Sequence, residues 1–158
     1  MPISGEEIRR RLEEFVARWR DYSGTERAEA QSFLNELLAC YGVDRKEVAH
    51  FEDPTGAGII DMIWPGICIV EMKRPSEAAN LAVHREQAFD YWKEVSRRTG
   101  RAGTHVVVCA FQRFEVFEPG VHWDQPIAQF ELDALPDSMR HSDSSVVSKR
   151  ASSKIARS

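Results

Sequence analysis

Apolar side chains recur along the chain with two different periods, and the change of period divides it into segments. Ile8, Leu12, Phe15, Val16 and Trp19 follow helical spacing and form one stripe, which predicts a first helix over residues 6–20. Ser23-Gly24-Thr25-Glu26 has the Ser-x-x-Glu form of a capping box. After it Ala30, Leu34, Leu37, Leu38 and Tyr41 continue an apolar face until Gly42 ends a second helix, and residues 44–49 add one more turn. Asp53-Pro54-Thr55-Gly56-Ala57-Gly58 reads as a loop by its Pro and Gly content. Residues 59–64 and 67–72 then read as two strands joined at Pro65-Gly66, a hairpin with a tight turn. Residues 76–98 read as one long helix with Leu81, Ala88, Tyr91, Trp92 and Val95 as its stripe, closed by residues 100–103. The β-branched run 104–111, the segment 114–118 and residues 127–132 are three further strands. The predicted order is α-α-β-β-α-β-β-β, an α/β fold.

At 158 residues and 42% hydrophobic composition the chain suffices for one domain with a core. That domain is expected over residues 1–136. From Asp137 onward 8 of 22 residues are Ser and apolar spacing is lost, so residues 137–158 are expected to be a disordered tail. The apolar segments are short and the N-terminus carries no secretory pattern, which predicts a cytoplasmic protein with no membrane span. Cys40, Cys68 and Cys109 are odd in number, far apart and set among apolar residues, as buried thiols are; neither a disulfide framework nor a zinc site is indicated. The net charge of −4 does not favour a stand-alone nucleic-acid clamp. Its distribution changes that picture. Residues 1–53 hold 8 basic and 12 acidic side chains, whereas residues 73–101 hold 7 basic and 4 acidic.

The candidate chemistry lies in the hairpin. Alternation puts Ile59, Asp61 and Ile63 on one face of its first strand, and Ile67, Ile69, Glu71 and Lys73 on one face of its second. Asp61, Glu71 and Lys73 can therefore converge. They interrupt strands that are otherwise apolar on both faces, where an unpaired charge costs several kcal/mol, so something must compensate them. A Mg²⁺ ion between Asp61 and Glu71 would do so, with the Met72 carbonyl as a further oxygen ligand and the remaining positions left to water and substrate phosphate. Such an ion polarises a phosphodiester and activates water, while Lys73 positions that water and offsets charge in the transition state. The plainer alternative is an ion-pair network that only orients the hairpin.

Asp61, nine intervening residues and then Glu71-Met72-Lys73 at the end of the next strand, followed by a helix, resembles the pattern of PD-(D/E)xK nucleases. Gln87-Ala88-Phe89-Asp90-Tyr91 is similar to the Gln-xxx-Tyr motif of one subclass. The segments around Ala30–Leu37, Ile60–Gly66, Val70–Pro75 and His84–Trp92 more closely resemble the N-terminal nuclease domain of MmeI-like restriction-modification proteins, over residues 6–136. The resemblance implies a restriction-endonuclease-like αββαβ core, with a mixed sheet flanked by helices and N-terminal helices before it. It implies a Mg²⁺-dependent deoxyribonuclease, with Mn²⁺ able to substitute, in which Asp61, Glu71 and Lys73 are catalytic. An acidic residue on an early helix completes the metal shell in such enzymes, and Glu36 is the candidate, with Glu29 on nearly the same face. Gln87 and Tyr91 would contact DNA, with Arg74 and Arg85 as further DNA-binding candidates from the basic stretch. His84 reads as an ordinary helix residue, and Trp64, Trp92 and Trp123 as core or rim aromatics.

The implied partners are double-stranded DNA and a DNA methyltransferase in cis or in trans, with dimerisation on DNA for cutting both strands. No Asn-Pro-Pro-Tyr motif and no Gly-rich cofactor loop occurs, so no S-adenosylmethionine site is expected in this chain. The alternative function is a catalytically silent module that holds DNA or docks a methyltransferase, a truncated part of a methyltransferase–restriction fusion protein.

Overall fold

A computed structural model describes residues 3–25, 27–55 and 58–139. Two helices open the chain, α1 (Gly5–Trp19) and α2 (Arg27–Cys40), followed by the single turn α3 (Arg45–Val48). Then come β1 (His50–Thr55), β2 (Gly58–Trp64) and β3 (Cys68–Met72), a 3-10 stretch at Pro75–His84 and α4 (Arg85–Thr99). Strands β4 (His105–Cys109), β5 (Arg113–Phe117) and β6 (Ala128–Glu131) complete a six-stranded sheet in the order β1-β2-β3-β4-β5-β6. All neighbours pair antiparallel except β3 and β4, which are parallel and joined across α4. The fold is therefore α/β with a mixed sheet.

Alternation along the central strands feeds two cores. Met62, Trp64, Cys68, Val70 and Met72 pack with Leu12, Phe15, Phe33 and Leu34 from α1 and α2. Ile63, Ile69, Val106 and Val108 pack on the other side with Ala88, Tyr91 and Val95 of α4. Every residue of β3 is buried, as the two-faced apolar pattern predicts. The three cysteines are free and buried, and burial pushes the Cys68 thiol up to about 12. Among the described residues no helix is long and apolar enough to cross a membrane.

Three expectations need correction. The segment read as a loop from Asp53 belongs to β1, which pairs with β2 through Pro54↔Ile59 and Thr55↔Gly58. Because β1 is the sheet edge, a residue without an N–H is tolerated there, and proline content does not forbid the strand. Gly56 and Ala57 lie outside the described residues. The long helix expected over residues 76–98 is broken at Asn80, whose φ of −142° and ψ of 42° are not helical; α proper starts only at Arg85. Between Pro75 and His84 only Leu81 is buried, so no apolar stripe holds a regular helix against Asn80's preference for local non-helical bonding. Finally, β3 starts one residue late because Ile67 N–H closes the turn onto Trp64 O at 2.9 Å. The capping box expected at Ser23 depends on Glu26, which lies outside the described residues; of the tail expected to be disordered over residues 137–158, residues 137–139 instead belong to a 3-10 turn (Pro136–Met139), and the rest lies outside the described residues. The N-terminal cap seen at α1 is Ser4, whose side chain accepts from Glu7 N–H at 3.1 Å.

The hairpin turn and the α4–β4 connection lock each other. Gly66 sits at φ +81° in the third position of the Trp64–Ile67 turn, where a positive φ is required. Its N–H donates to Arg101 O at 2.9 Å, Thr104 N–H donates to Ile67 O at 3.1 Å, and the Trp92 indole N–H donates to Gly103 O at 3.0 Å. Gly103 combines φ +84° with so close an approach that a Cβ there would overlap the Ile67 carbonyl and lie 2.6 Å from Cys68 N. Gly66 has the same sign of φ but only the end of Arg101 nearby, at 3.9 Å. Gly66→Ala should therefore cost about 1–2 kcal/mol, the ordinary left-handed penalty, and Gly103→Ala at least ~3 kcal/mol, because backbone must move as well. Urea midpoints measure both; equal losses would show that the close approach at Gly103 does not matter.

Candidate metal and phosphodiester site

The Trp64–Ile67 turn fixes the β2–β3 register as Trp64↔Cys68, Ile63↔Ile69 and Met62↔Val70, so Asp61 falls opposite Glu71. There the ladder stops. The next β3 donor facing β2, Met72 N–H, bonds to Asp61 Oδ2 at 2.7 Å instead of to backbone. A side chain has replaced a ladder carbonyl, and the two carboxyls face each other at the point where the strands part. Both are buried, Glu71 to 3% and Asp61 to 9% relative exposure, and they share a hydrogen bond. Burial first, then the hydrogen bond and charge of Asp61, push the Glu71 carboxyl far above the usual carboxylate range, and nearby Lys73 only partly offsets this.

Lys73 lies one residue past β3, tied to β4 by its N–H donating to Cys109 O at 2.7 Å. Its Nζ is 3.5 Å from Glu71 Oε2 and donates to Gln87 Oε1, 2.9 Å away on α4. Asp61, Glu71, Lys73, Arg74, Gln87 and Tyr91 all line one open cleft of about 690 Å³ at the carboxyl ends of the parallel pair β3 and β4. This is the end of an α/β sheet where ligands bind. The opposite wall is made by Gly24, Thr25 and Ala30, from the α1–α2 connection and the start of α2, with Phe111.

The family model for the MmeI N-terminal domain fits residues 10–157. The chain belongs to that family. Membership associates it with restriction–modification systems. No curated protein and no solved structure matches it.

In this MmeI-family domain three candidates from the sequence lie elsewhere. Glu36 does not reach the cleft; its Oε1 accepts from the Arg18 guanidinium and, at 3.0 Å, from the indole N–H of buried Trp19. A buried indole needs an acceptor, and Glu36 supplies it at the α1–α2 seam. Glu29, in the first turn of α2 beside Ala30, does not line the cleft either. Among the described residues no third Asp, Glu, His or Cys joins the Asp61–Glu71 pair. Arg85 also points away. It forms a two-pronged pair with buried Glu115, at 3.0 and 2.9 Å, and its guanidinium stands 5.4 Å from the Phe117 ring centre. Its charge keeps Glu115 compensated rather than facing the cleft. His84 precedes α4 with Nε2 3.3 Å from Glu77 Oε1. Arg74, Gln87 and Tyr91 are in the cleft as expected.

Sequence reasoning missed Phe111 and Gln112. Phe111 is the one described non-glycine residue with positive φ, at 66°, a conformation costly for a bulky side chain. Its ring lies 4.7 Å from Tyr22 and 4.9 Å from Phe33, and the Gln112 amide donates to the carbonyls of Trp19 and Tyr22 at 3.0 and 2.9 Å. The turn after β4 thus pins the end of α1 and the wall that follows it. Nothing in the periodicity marks this pair.

The raised Glu71 carboxyl has a consequence for stability. A group whose pKa is higher folded than unfolded contributes fully below its ordinary value and loses that contribution as pH rises. Without divalent metal, the melting temperature should therefore fall from about pH 5 towards neutrality and beyond, through the window where Glu71 resists ionising. Glu71→Gln should flatten that decline and melt higher than the parent at neutral pH. A parent and mutant with parallel pH profiles in calorimetry would contradict the account of the buried pair.

Proposed function

We propose that this domain is a metal-dependent DNA endonuclease of the PD-(D/E)xK type, hydrolysing phosphodiester bonds of duplex DNA within a restriction–modification system. The observation that carries the reading is the facing of Asp61 and Glu71, with Lys73 beside them, in an open cleft large enough for a strand segment.

The donor set fits a hard divalent ion. Two carboxylates forced together at low exposure repel each other unless a proton or a cation stands between them, and Mg²⁺ commonly binds through one or two carboxylates, with water and phosphate oxygens completing its shell. Asp61 and Glu71 would hold it. The Met72 carbonyl, on the same side of an extended strand as the N–H that Asp61 accepts, would be the third protein oxygen. When bound, Mg²⁺ or Mn²⁺ supplies Lewis-acid polarisation of the phosphate and a more acidic water. The chain's own residues do the rest. Met72 N–H orients Asp61, Lys73 places a positive charge where negative charge grows during attack, and Arg74 adds a cation at the cleft rim for the backbone phosphates. Sequence recognition and methylation are assigned to a methyltransferase and specificity module in cis or in trans, and cutting of both strands to two copies of the domain on DNA.

The test is nicking of supercoiled plasmid in Mg²⁺ or Mn²⁺, with and without the partner methyltransferase, beside Lys73→Ala. Removal of the lysine should cost about 10²–10³-fold or more in rate, the scale for a lost transition-state charge contact. The same ions should raise the melting temperature of the parent and not of Asp61→Asn. Absence of both cleavage and thermal stabilisation by metal would leave a silent docking module.

A further inference from the structure

The resemblance that singled out Gln87 assigns it to DNA, but its side chain in the structure is turned to Lys73. We propose that Gln87 is a positioning residue, the neutral acceptor that fixes the Lys73 ammonium over the site; this rests on the nuclease reading above. Three observations support it.

Lysine is a point charge on a flexible four-carbon stem and does not orient itself. Lys73 Nζ carries three N–H donors; one goes to Gln87 Oε1 at 2.9 Å and a second direction is taken by Glu71 Oε2 at 3.5 Å. Two anchors on different elements leave one donor to turn into the cleft.

Gln87 can act as an anchor because its helix is fixed. Ala88 and Tyr91, the next residue and the next turn, are 0% and 5% exposed against the sheet, and Arg85 two residues earlier is clamped to Glu115. The acceptor therefore sits on a rigid element, while the end of β3 is held by Lys73 N–H on Cys109 O.

The residue type is the third observation. A carboxylate at this position would hold an ammonium more strongly, but it would add a third carboxyl group to a cleft where Asp61 and Glu71 already crowd each other and where a phosphodiester must enter. An amide oxygen accepts the same hydrogen bond and brings no charge. Gln87 thus holds Lys73 without neutralising it.

A residue that acts through Lys73 and a residue that contacts DNA lose different things when changed. Gln87→Met keeps length and removes the acceptor; Gln87→Glu keeps the acceptor and adds charge. Steady-state cleavage of plasmid in Mg²⁺ gives kcat and KM, and a short duplex titrated in Ca²⁺ gives Kd without turnover. Gln87→Met should lower kcat by roughly 10–100-fold, the range for residues that orient a functional group, with Kd unchanged. Gln87→Glu should raise Kd. In metal-free protein, the Lys73 Nζ–H signal in ¹⁵N NMR, identified by Lys73→Arg, should be seen in the parent and in Gln87→Glu and vanish in Gln87→Met. A Gln87→Met protein with higher Kd and unchanged kcat, or with the Lys73 signal intact, overturns the positioning role and leaves the nuclease standing. No cleavage by the parent under any condition would instead remove the nuclease reading itself.

Discussion

The bond from Met72 N–H to Asp61 Oδ2 is the constraint around which the site is arranged. It ends the β2–β3 ladder early by giving a strand donor to a side chain, and a buried backbone donor cannot be left without an acceptor at that depth. Asp61 is thereby held in one orientation, with its remaining oxygen surface towards Glu71. Glu71 cannot turn away, since it belongs to a strand buried at every position and paired on its other side with Val108 of β4. The result is a pair of buried carboxyls close enough to share a hydrogen bond at the floor of the cleft. A fold seeking only stability would put apolar groups there.

What makes that pair accessible is the way the N-terminal helices meet the sheet. They cover one face of β2, β3 and β4, and their connection passes the open ends of these strands at Gly24 and Thr25. The Gln112 amide, bonded to the carbonyls of Trp19 and Tyr22, and the left-handed Phe111 hold the connection in place. Wall and floor of the cleft are thus joined through the three-residue connection after β4, and strain at Phe111 is offset by its aromatic contacts with Tyr22 and Phe33.

The parts legible in the sequence are those governed by short-range periodicity. Both helices before the sheet, the β2–β3 hairpin, the strands after α4 and the convergence of Asp61, Glu71 and Lys73 follow from alternation, helical spacing and the Pro65-Gly66 turn. Where the reading failed, a long-range circumstance outweighed the local signal. Pro54 reads as a loop residue until the strand carrying it proves to be an edge. Glu36 reads as facing a metal because it borders an apolar stripe, but that stripe belongs to the α1–α2 seam, where Trp19 and Arg18 need its carboxylate. Arg85 reads as a free cation in a basic stretch, but Glu115, thirty residues away in sequence, is buried opposite it. Partners of this kind cannot be inferred from spacing along one element.

The charges of the cleft form a graded series that the fold sets in order. Asp61 takes a backbone donor, Glu71 is left with the burden of burial and repulsion, Lys73 relieves part of it, and Gln87 holds Lys73 without relieving more. If Lys73 were drawn fully onto Glu71, the pair would be a closed ion pair with nothing left for an anion. The 3.5 Å separation from Glu71, beside the shorter 2.9 Å bond to Gln87, keeps the ammonium between the carboxylates and the opening. The geometry therefore keeps the lysine charge from being spent on the acidic pair, which is the property the proposed metal and phosphate site would use.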